Sequence, residues 1–152
     1  WWRSWKRSHL YARPALIPMT TSVVFYSGNL RTESQHLQSG ETITTDAPID
    51  NEGTGQAFSP TDLAATSLAN CMMTVMGIVA NRHNIDIEGT RADVEKFMGV
   101  KPRRIVEIKI EFHFPISYDT ATKKLLEQTA LNCPVAKSLS ESISQNIHFN
   151  YS

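Results

Sequence analysis

Two cysteines are the residues of this chain with the most obvious chemistry. Cys71 lies in a mainly apolar segment at 59–81, and Cys133 is followed directly by Pro134. Two thiols can cycle between a dithiol and a disulfide, and a single ionised thiol can act as a nucleophile. Because the cysteines lie far apart in the sequence, only the fold could bring them together. The alternative is that both are small buried apolar residues, a common role for free cysteine.

The two cysteines occupy different predicted positions on helices. Cys133 precedes Pro134 and is predicted to be the N-cap of a short helix that runs to about residue 143. The unpaired N–H groups and the dipole at a helix start lower a thiol pKa, so we expect a low pKa for Cys133. Cys71 lies about three turns inside its predicted helix, where the dipole has little effect. It would need an external cation or base to become a strong nucleophile.

Arg31 is the candidate partner for a thiolate. It begins a polar predicted strand and could hold a thiolate or a peroxide oxygen through its guanidinium group. The alternative is a solvated charge on an edge strand. His36 is the next candidate, with a structural role as its alternative. No metal site is predicted, because the five histidines show no ligand spacing around either cysteine.

The composition is typical of a single globular domain in a reducing compartment. The chain has 152 residues, of which 41% are hydrophobic and 20% are charged. Two cysteines are too few for a secreted disulfide scaffold, which favours the cytoplasm. No uninterrupted run of 18 apolar residues is present, so no membrane-spanning helix is expected.

Residues 1–18 differ in charge from the rest of the chain. This N-terminal extension has four basic residues and no acidic one, so the overall net charge of zero leaves residues 19–152 mildly acidic. An acidic body argues against nucleic-acid binding, which needs clustered basic residues. We interpret 1–18 as sequence upstream of a start at Met19, with an organelle transit peptide as the alternative. The predicted domain is therefore 19–152, with 1–18 outside the fold.

Periodicity and turn signals predict an α+β domain. The predicted strands lie at 21–26, 30–38, 41–45, 85–87, 91–98, 104–114 and 147–151, and the predicted helices at 59–81, from 119 to about 130, and from 133 to about 143. Alternation at 104–114 predicts one buried and one solvated face, as in an antiparallel sheet. The long loop at 46–58 suggests a functional role.

The helix at 59–81 has a clear start and an unusual surface. Ser59, Pro60 and Asp62 predict an N-cap, a first helical position and a capping box. Apolar residues cover nearly every side, so we expect a central, buried helix. A single small domain has too few partners to cover it, which predicts an obligate homodimer.

Four ordered segments carry a resemblance to a known family. They are FSPTDL at 58–63, ANCM at 69–72, PRRI at 102–105 and CPV at 133–135. Together they resemble the OsmC/Ohr family of thiol peroxidases over about residues 20–152. The resemblance implies an α+β fold with antiparallel sheets around long central helices, in an intertwined homodimer with sites at the subunit interface.

The resemblance also implies an activity. It assigns Cys71 as the peroxidatic thiol, Cys133 as the resolving thiol and Arg31 as the arginine of the site. The implied reaction is reduction of organic hydroperoxides in the cytoplasm, with a dithiol or a lipoylated protein as reductant. No metal or organic cofactor is implied, and neither nucleic acid nor a membrane is an expected partner.

One departure from the family pattern keeps other functions open. Active members often carry a glutamate ten residues before the first cysteine, but here that position is Thr61, with Asp62 beside it. A non-catalytic module of the same fold that binds a small apolar ligand is therefore an alternative. A structural protein with inert cysteines is a third possibility, and thiol reactivity distinguishes it from the enzyme.

Overall fold

The computed structural model describes residues 19–152. The N-terminal extension lies outside these described residues, so the boundary at residue 19 stays a prediction. The elements in chain order are β1 (Ser22–Gly28), β2 (Arg31–His36), β3 (Thr42–Asp46), a 3-10 helix (Ile49–Asn51), α1 (Pro60–His83), β4 (Arg91–Val100), β5 (Arg103–Phe114), α2 (Thr120–Leu131), α3 (Pro134–Ser138) and β6 (Ser144–Tyr151). The α+β prediction is confirmed.

The first sheet is an antiparallel meander in the order β1-β2-β3. Arg31 in β2 lies directly opposite Asp46 in β3. Large apolar side chains of β1 remain exposed within the described chain: Val24 by 59%, Phe25 by 59% and Tyr26 by 68%. A three-stranded sheet with so much exposed apolar surface has no hydrophobic core of its own.

The second sheet provides most of the core. Its order is β4-β5-β6, with β4 antiparallel and β6 parallel to the central strand β5. Alternate residues of β5 are buried, as predicted: Ile108, Ile110, Phe112 and Phe114. The predicted antiparallel pairing therefore holds for β4 and β5, whereas β6 runs parallel to β5 because α2 and α3 form a crossover that returns the chain in the same direction.

Helix α1 packs against α2, α3 and the second sheet. Its predicted start is confirmed, since Ser59 is the N-cap and forms a capping box with Asp62. One face is buried and consists of Ala65, Leu68, Ala69, Met72, Met76 and Ala80. The opposite face is only partly covered, and Ile78 is 46% exposed. Burial on all sides is therefore not achieved within a single described chain.

Among residues 19–152, α1 is long and apolar enough to cross a membrane by length and composition alone. Polar residues interrupt the apolar run in the sequence, which is why no membrane-spanning helix was expected there. The buried face of α1 belongs to the main hydrophobic core. Core helices of soluble proteins have this same character, so the helix is weak support for a membrane span.

Two predicted elements differ in the structure. No strand forms at 85–87, because Asn84 adopts a left-handed conformation that ends α1 and the chain turns tightly, with the Thr90 amide donating to the carbonyl of Ile87. The third helix ends at Ser138, since Leu139 is already extended. In both places the backbone turns where the apolar residues of the sequence had indicated a strand or a longer helix.

Candidate active site

Cys133 occupies the predicted N-cap of α3. Its sulfur accepts a hydrogen bond from the backbone N–H of Ala136 at 3.3 Å. The residue is almost fully buried, with 1% of its surface exposed. Contacts between α1 and α3 place this cap beside the central helix.

The fold brings the two cysteines together. Cys71 lies midway along α1, half-buried at the edge of the core. Its thiol lies close enough to the thiol of Cys133 to influence the pKa of Cys133. Both residues are free rather than joined as a disulfide. The arrangement is a dithiol pair with one partly exposed and one buried member.

The predicted low pKa of Cys133 is wrong. Burial raises the pKa of this thiol above its ordinary value. The Ala136 N–H group lowers the pKa, as expected for a cap, and interaction with Cys71 raises it again. The cap geometry was correctly predicted, but desolvation of the thiolate outweighs the hydrogen bonds of a five-residue helix.

Arg31 lies on the central strand of the first sheet, so the edge-strand alternative is wrong. It follows three residues with positive φ angles: Gly28 at 84°, Asn29 at 51° and Leu30 at 60°. Its Nε atom is buried and has no hydrogen-bond partner among the described residues. No hydrogen bond or ion pair within residues 19–152 joins Arg31 to either cysteine, so this part of the predicted site is not assembled within one chain.

Asp46 organises the predicted long loop, and sequence analysis missed it. Its Oδ2 atom accepts hydrogen bonds from the hydroxyl of Thr54 and, at 2.9 Å, from the backbone N–H of Gln56. These two bonds are the main reason that the pKa of Asp46 lies below its ordinary value; burial opposes them, and the positive charge of Arg31 adds to the lowering. A polar residue at a strand end before a glycine-rich loop was the available signal.

Lys96 is the other residue that sequence analysis missed. Its ammonium group contacts Asp62 Oδ1 at 2.9 Å and the hydroxyls of Thr61 at 2.9 Å and Ser59 at 3.4 Å. Burial pushes the pKa of Asp62 upward, but hydrogen bonds from Lys96 and Ser59 outweigh it and hold the pKa low. The signal was in the alternation of β4, where Lys96 lies on the partly buried side with Ala92, Val94 and Met98.

This cluster occupies the place where the family glutamate was expected. Thr61 and Asp62 are both bound to Lys96, so Asp62 does more than cap the helix. Asp62 lies nine positions before Cys71, which corresponds to about 14 Å along a helix axis. Within the described chain the cluster therefore stabilises the start of α1 and does not reach the thiols.

Two clefts lie near the start of α1. The larger, about 460 Å³, is lined by residues that include Phe58, Asp62, Ala65, Val94 and Lys96. The smaller, about 360 Å³, lies between the first sheet and α1, and Leu30, Pro48 and Arg103 contribute to its walls. Neither cleft includes Cys71 or Cys133.

The remaining polar candidates do not join the thiol site. His36 is exposed, and its Nδ1 atom pairs with the hydroxyl of Ser39 at 2.7 Å, which fits the structural alternative. Among residues 19–152, no three histidine, cysteine, aspartate or glutamate side chains are grouped to hold a metal ion.

Comparison with known proteins agrees with this architecture. The family model for OsmC-like proteins matches residues 53–148, well over half of the chain. The chain belongs to the OsmC family. Comparison with curated proteins gave no match.

Solved structures of OsmC-fold proteins cover nearly the whole described chain. A Psychrobacter arcticus protein, provisionally assigned to osmotic stress and the detoxification response, is 53% identical over 87% of this chain and 96% of its own, with a TM-score of 0.85. Two organic hydroperoxide resistance proteins share the fold at low identity. The Legionella pneumophila protein is 17% identical over 88% of this chain and 98% of its own, with a TM-score of 0.69. The Elizabethkingia anophelis protein is 13% identical over 90% of this chain and 100% of its own, with a TM-score of 0.70.

The difference in burial predicts the order in which the two thiols react. With limiting iodoacetamide at pH 7, Cys71 should be alkylated well before Cys133, because burial shields the Cys133 thiol and raises its pKa above the ordinary value. Peptide mass spectrometry of the two cysteine peptides measures the order. Equal labelling after denaturation is the control, and preferential labelling of Cys133 in the folded protein would contradict the assignment.

The Lys96–Asp62 pair should contribute to stability. Lys96→Met should lower the free energy of unfolding by about 1–2 kcal/mol, less than for a fully buried pair because Asp62 is 38% exposed. Lys109→Met removes the ion pairs with Glu95 and Glu111 on the outer face and should lower the free energy of unfolding less than Lys96→Met does. Urea unfolding at pH 7 and one fixed protein concentration compares the variants.

The same pair predicts an acid dependence. Because the pKa of Asp62 is lowered in the folded state, its contribution is complete above the unfolded pKa of about 3.9 and is lost as pH falls through the folded value. Lys96→Met should reduce this acid loss. An acid limb identical to that of the unsubstituted protein would argue against the pair.

Proposed function

We propose that this OsmC family protein reduces organic hydroperoxides through a two-cysteine cycle. The juxtaposition of Cys71 and Cys133 is the observation that carries the proposal. A half-buried thiol can meet a substrate, and a buried thiol beside it can resolve the product. The two organic hydroperoxide resistance proteins that share the fold support the same reaction class.

The first step oxidises Cys71. Its thiolate attacks the distal oxygen of the hydroperoxide, the O–O bond breaks, and the alkoxide leaves and takes up a proton as an alcohol. Cys71 becomes a sulfenic acid and the peroxide is reduced. Arg31 stabilises the thiolate and orients the peroxide in this proposal.

The second step uses Cys133. Its S–H proton passes to the departing hydroxide while its sulfur attacks, as a thiolate, the sulfur of sulfenic Cys71. An S–S bond forms, the S–O bond of the sulfenic acid breaks, and water leaves. An external dithiol, either a small molecule or a lipoylated protein, then reduces the disulfide by exchange.

The proposed site also requires a homodimer. Exposed apolar residues on β1 and the partly covered face of α1 leave surfaces that a second copy would cover. Because Arg31 does not contact the cysteines within the described chain, its role in the cycle requires the second subunit. A cytoplasmic location fits two free thiols that an external dithiol keeps reduced.

A non-catalytic, ligand-binding function is the second candidate. The clefts near α1 are separate from the thiols, and Thr61 replaces the glutamate expected of active members. This candidate predicts that a small apolar ligand binds equally well when Cys71 is replaced. The redox proposal predicts that Cys71 is indispensable for peroxide consumption.

The cysteine roles predict distinct oxidation products. Wild-type protein treated with one equivalent of cumene hydroperoxide should lose two hydrogens and link Cys71 to Cys133 within one chain. Cys133→Ser should instead retain sulfenic Cys71 and over-oxidise to sulfinic acid at higher peroxide, since no thiol remains to resolve it. Intact mass, a sulfenic-acid trap and disulfide mapping measure these products.

Cys71→Ser is the matched variant for the first step. It should abolish peroxide consumption in an assay with an external dithiol while the protein remains folded by circular dichroism. Wild-type turnover by Cys71→Ser, or a folded, peroxide-reactive wild type that forms no intrachain disulfide, would contradict the proposed cycle.

The exposed apolar surface predicts the assembly. Sedimentation at micromolar concentration should give twice the 17.1 kDa chain mass. Ile78→Glu should weaken the dimer because it places a charge on the partly covered face of α1. Lys124→Glu introduces the same residue at an exposed polar position of α2 and serves as the control. A stable wild-type monomer would contradict the dimer.

A further inference from the structure

Asp46 is a buried carboxylate directly across the first sheet from Arg31. Only 1% of its surface is exposed. Residues directly opposite on antiparallel strands project to the same side of a sheet, so the two side chains share one face. Glu33, which follows Arg31 on that face, is exposed. Asp46 is therefore the buried negative charge on this face of the sheet.

The two oxygens of Asp46 have different surroundings. Oδ2 is held by Thr54 and Gln56, whereas Oδ1 is buried without a hydrogen-bond partner among the described residues. Arg31 Nε is buried and unpartnered in the same way. Leaving a buried donor and a buried acceptor unpaired is costly, and these two belong to opposite charges that attract each other.

The backbone fixes both residues beside a strained turn. Asn29 and Leu30 adopt left-handed conformations that non-glycine residues rarely occupy. The carbonyl of Leu30 accepts a hydrogen bond from the N–H of Ala47 at 3.2 Å. This bond ties the residue before Arg31 to the residue after Asp46, so the two side chains start from a fixed separation.

We infer that Asp46 is the positioning residue for Arg31, an inference that rests on the proposed function. Thr54 and Gln56 anchor one carboxylate oxygen, which leaves Oδ1 to receive Arg31 Nε in the assembled site. The terminal nitrogens of the guanidinium group then remain for the Cys71 thiolate and the peroxide. Asp46 thus supplies the carboxylate that the start of α1 cannot supply, since Thr61 has none and Asp62 is bound to Lys96.

The experiment compares three single variants in the full-length protein. Asp46→Asn removes the charge but keeps the shape, Arg31→Gln removes the guanidinium group, and Thr54→Val removes a loop hydrogen bond but keeps the charge. The readouts are the second-order rate of Cys71 oxidation by cumene hydroperoxide and the pH midpoint of Cys71 alkylation. Thermal unfolding confirms that each variant is folded.

A positioning role predicts a specific pattern. Asp46→Asn should slow oxidation by roughly tenfold or more, as misplacement of a reacting group does, and should raise the alkylation midpoint. Thr54→Val should slow oxidation much less than Asp46→Asn does, because the Gln56 N–H still anchors Oδ2 and the carboxylate charge remains. In the Arg31→Gln background, Asp46→Asn should have no further effect, because the residue through which it acts is gone. Asp46→Glu displaces the carboxylate but keeps its charge. It should also slow oxidation, and only when Arg31 is present. If Asp46→Asn does not fold, Asp46→Glu takes its place in the comparison.

The opposing outcomes are distinct. A purely electrostatic effect of Asp46 would make Asp46→Asn faster and lower the alkylation midpoint, because a negative charge is lost. A purely structural role in the loop would make Thr54→Val as slow as Asp46→Asn. Either result overturns the inference. So does a result in which Arg31→Gln slows Cys71 oxidation but Asp46→Asn does not; that result leaves the proposed function intact. If Arg31→Gln is itself unaffected, the role of Arg31 in the proposed function fails as well.

Discussion

The burial of one face of α1 against the second sheet and α2 is the constraint on which the site depends. This face contributes six residues to the core and sets the rotation of the helix about its axis. Cys71 therefore lies at the edge of the core and faces α3, where Cys133 caps the helix start. Rotating α1 to bury its other apolar residues would separate the two thiols.

Two clusters of charged and polar groups fix the segments that lead into α1. Asp46 holds the loop after β3 through Thr54 and Gln56, and Lys96 holds Ser59, Thr61 and Asp62 where the helix begins. Buried charges are costly unless they are paired and hydrogen-bonded, so both clusters specify one loop conformation more than they add stability. The same loop connects the sheet that carries Arg31 to the helix that carries Cys71.

Features set by short-range rules could be predicted from the sequence. The capping box at Ser59, the alternation of β5 and the cap position of Cys133 each depend on a few neighbouring residues. Features set by tertiary burial could not. The pKa of Cys133 depends on how deeply the fold buries the sulfur. The contacts of Asp46 and the contacts of Lys96 each join a strand residue to residues outside that strand. Alternation in β4 placed Lys96 among apolar positions, but only the fold shows that Lys96 contacts the start of α1.

The unequal burial of the thiols gives the proposed cycle its direction. A thiol that is fully buried and held neutral is a poor first nucleophile, and peroxide has little access to it, so oxidation begins at Cys71. The same burial keeps Cys133 reduced until a sulfenic acid forms within reach, when its proton is needed by the leaving hydroxide. A low pKa at Cys133, as the sequence suggested, would have made the two thiols compete for peroxide. Burial and the raised pKa therefore confine Cys133 to the second step, in which it meets a sulfenic acid and not the peroxide.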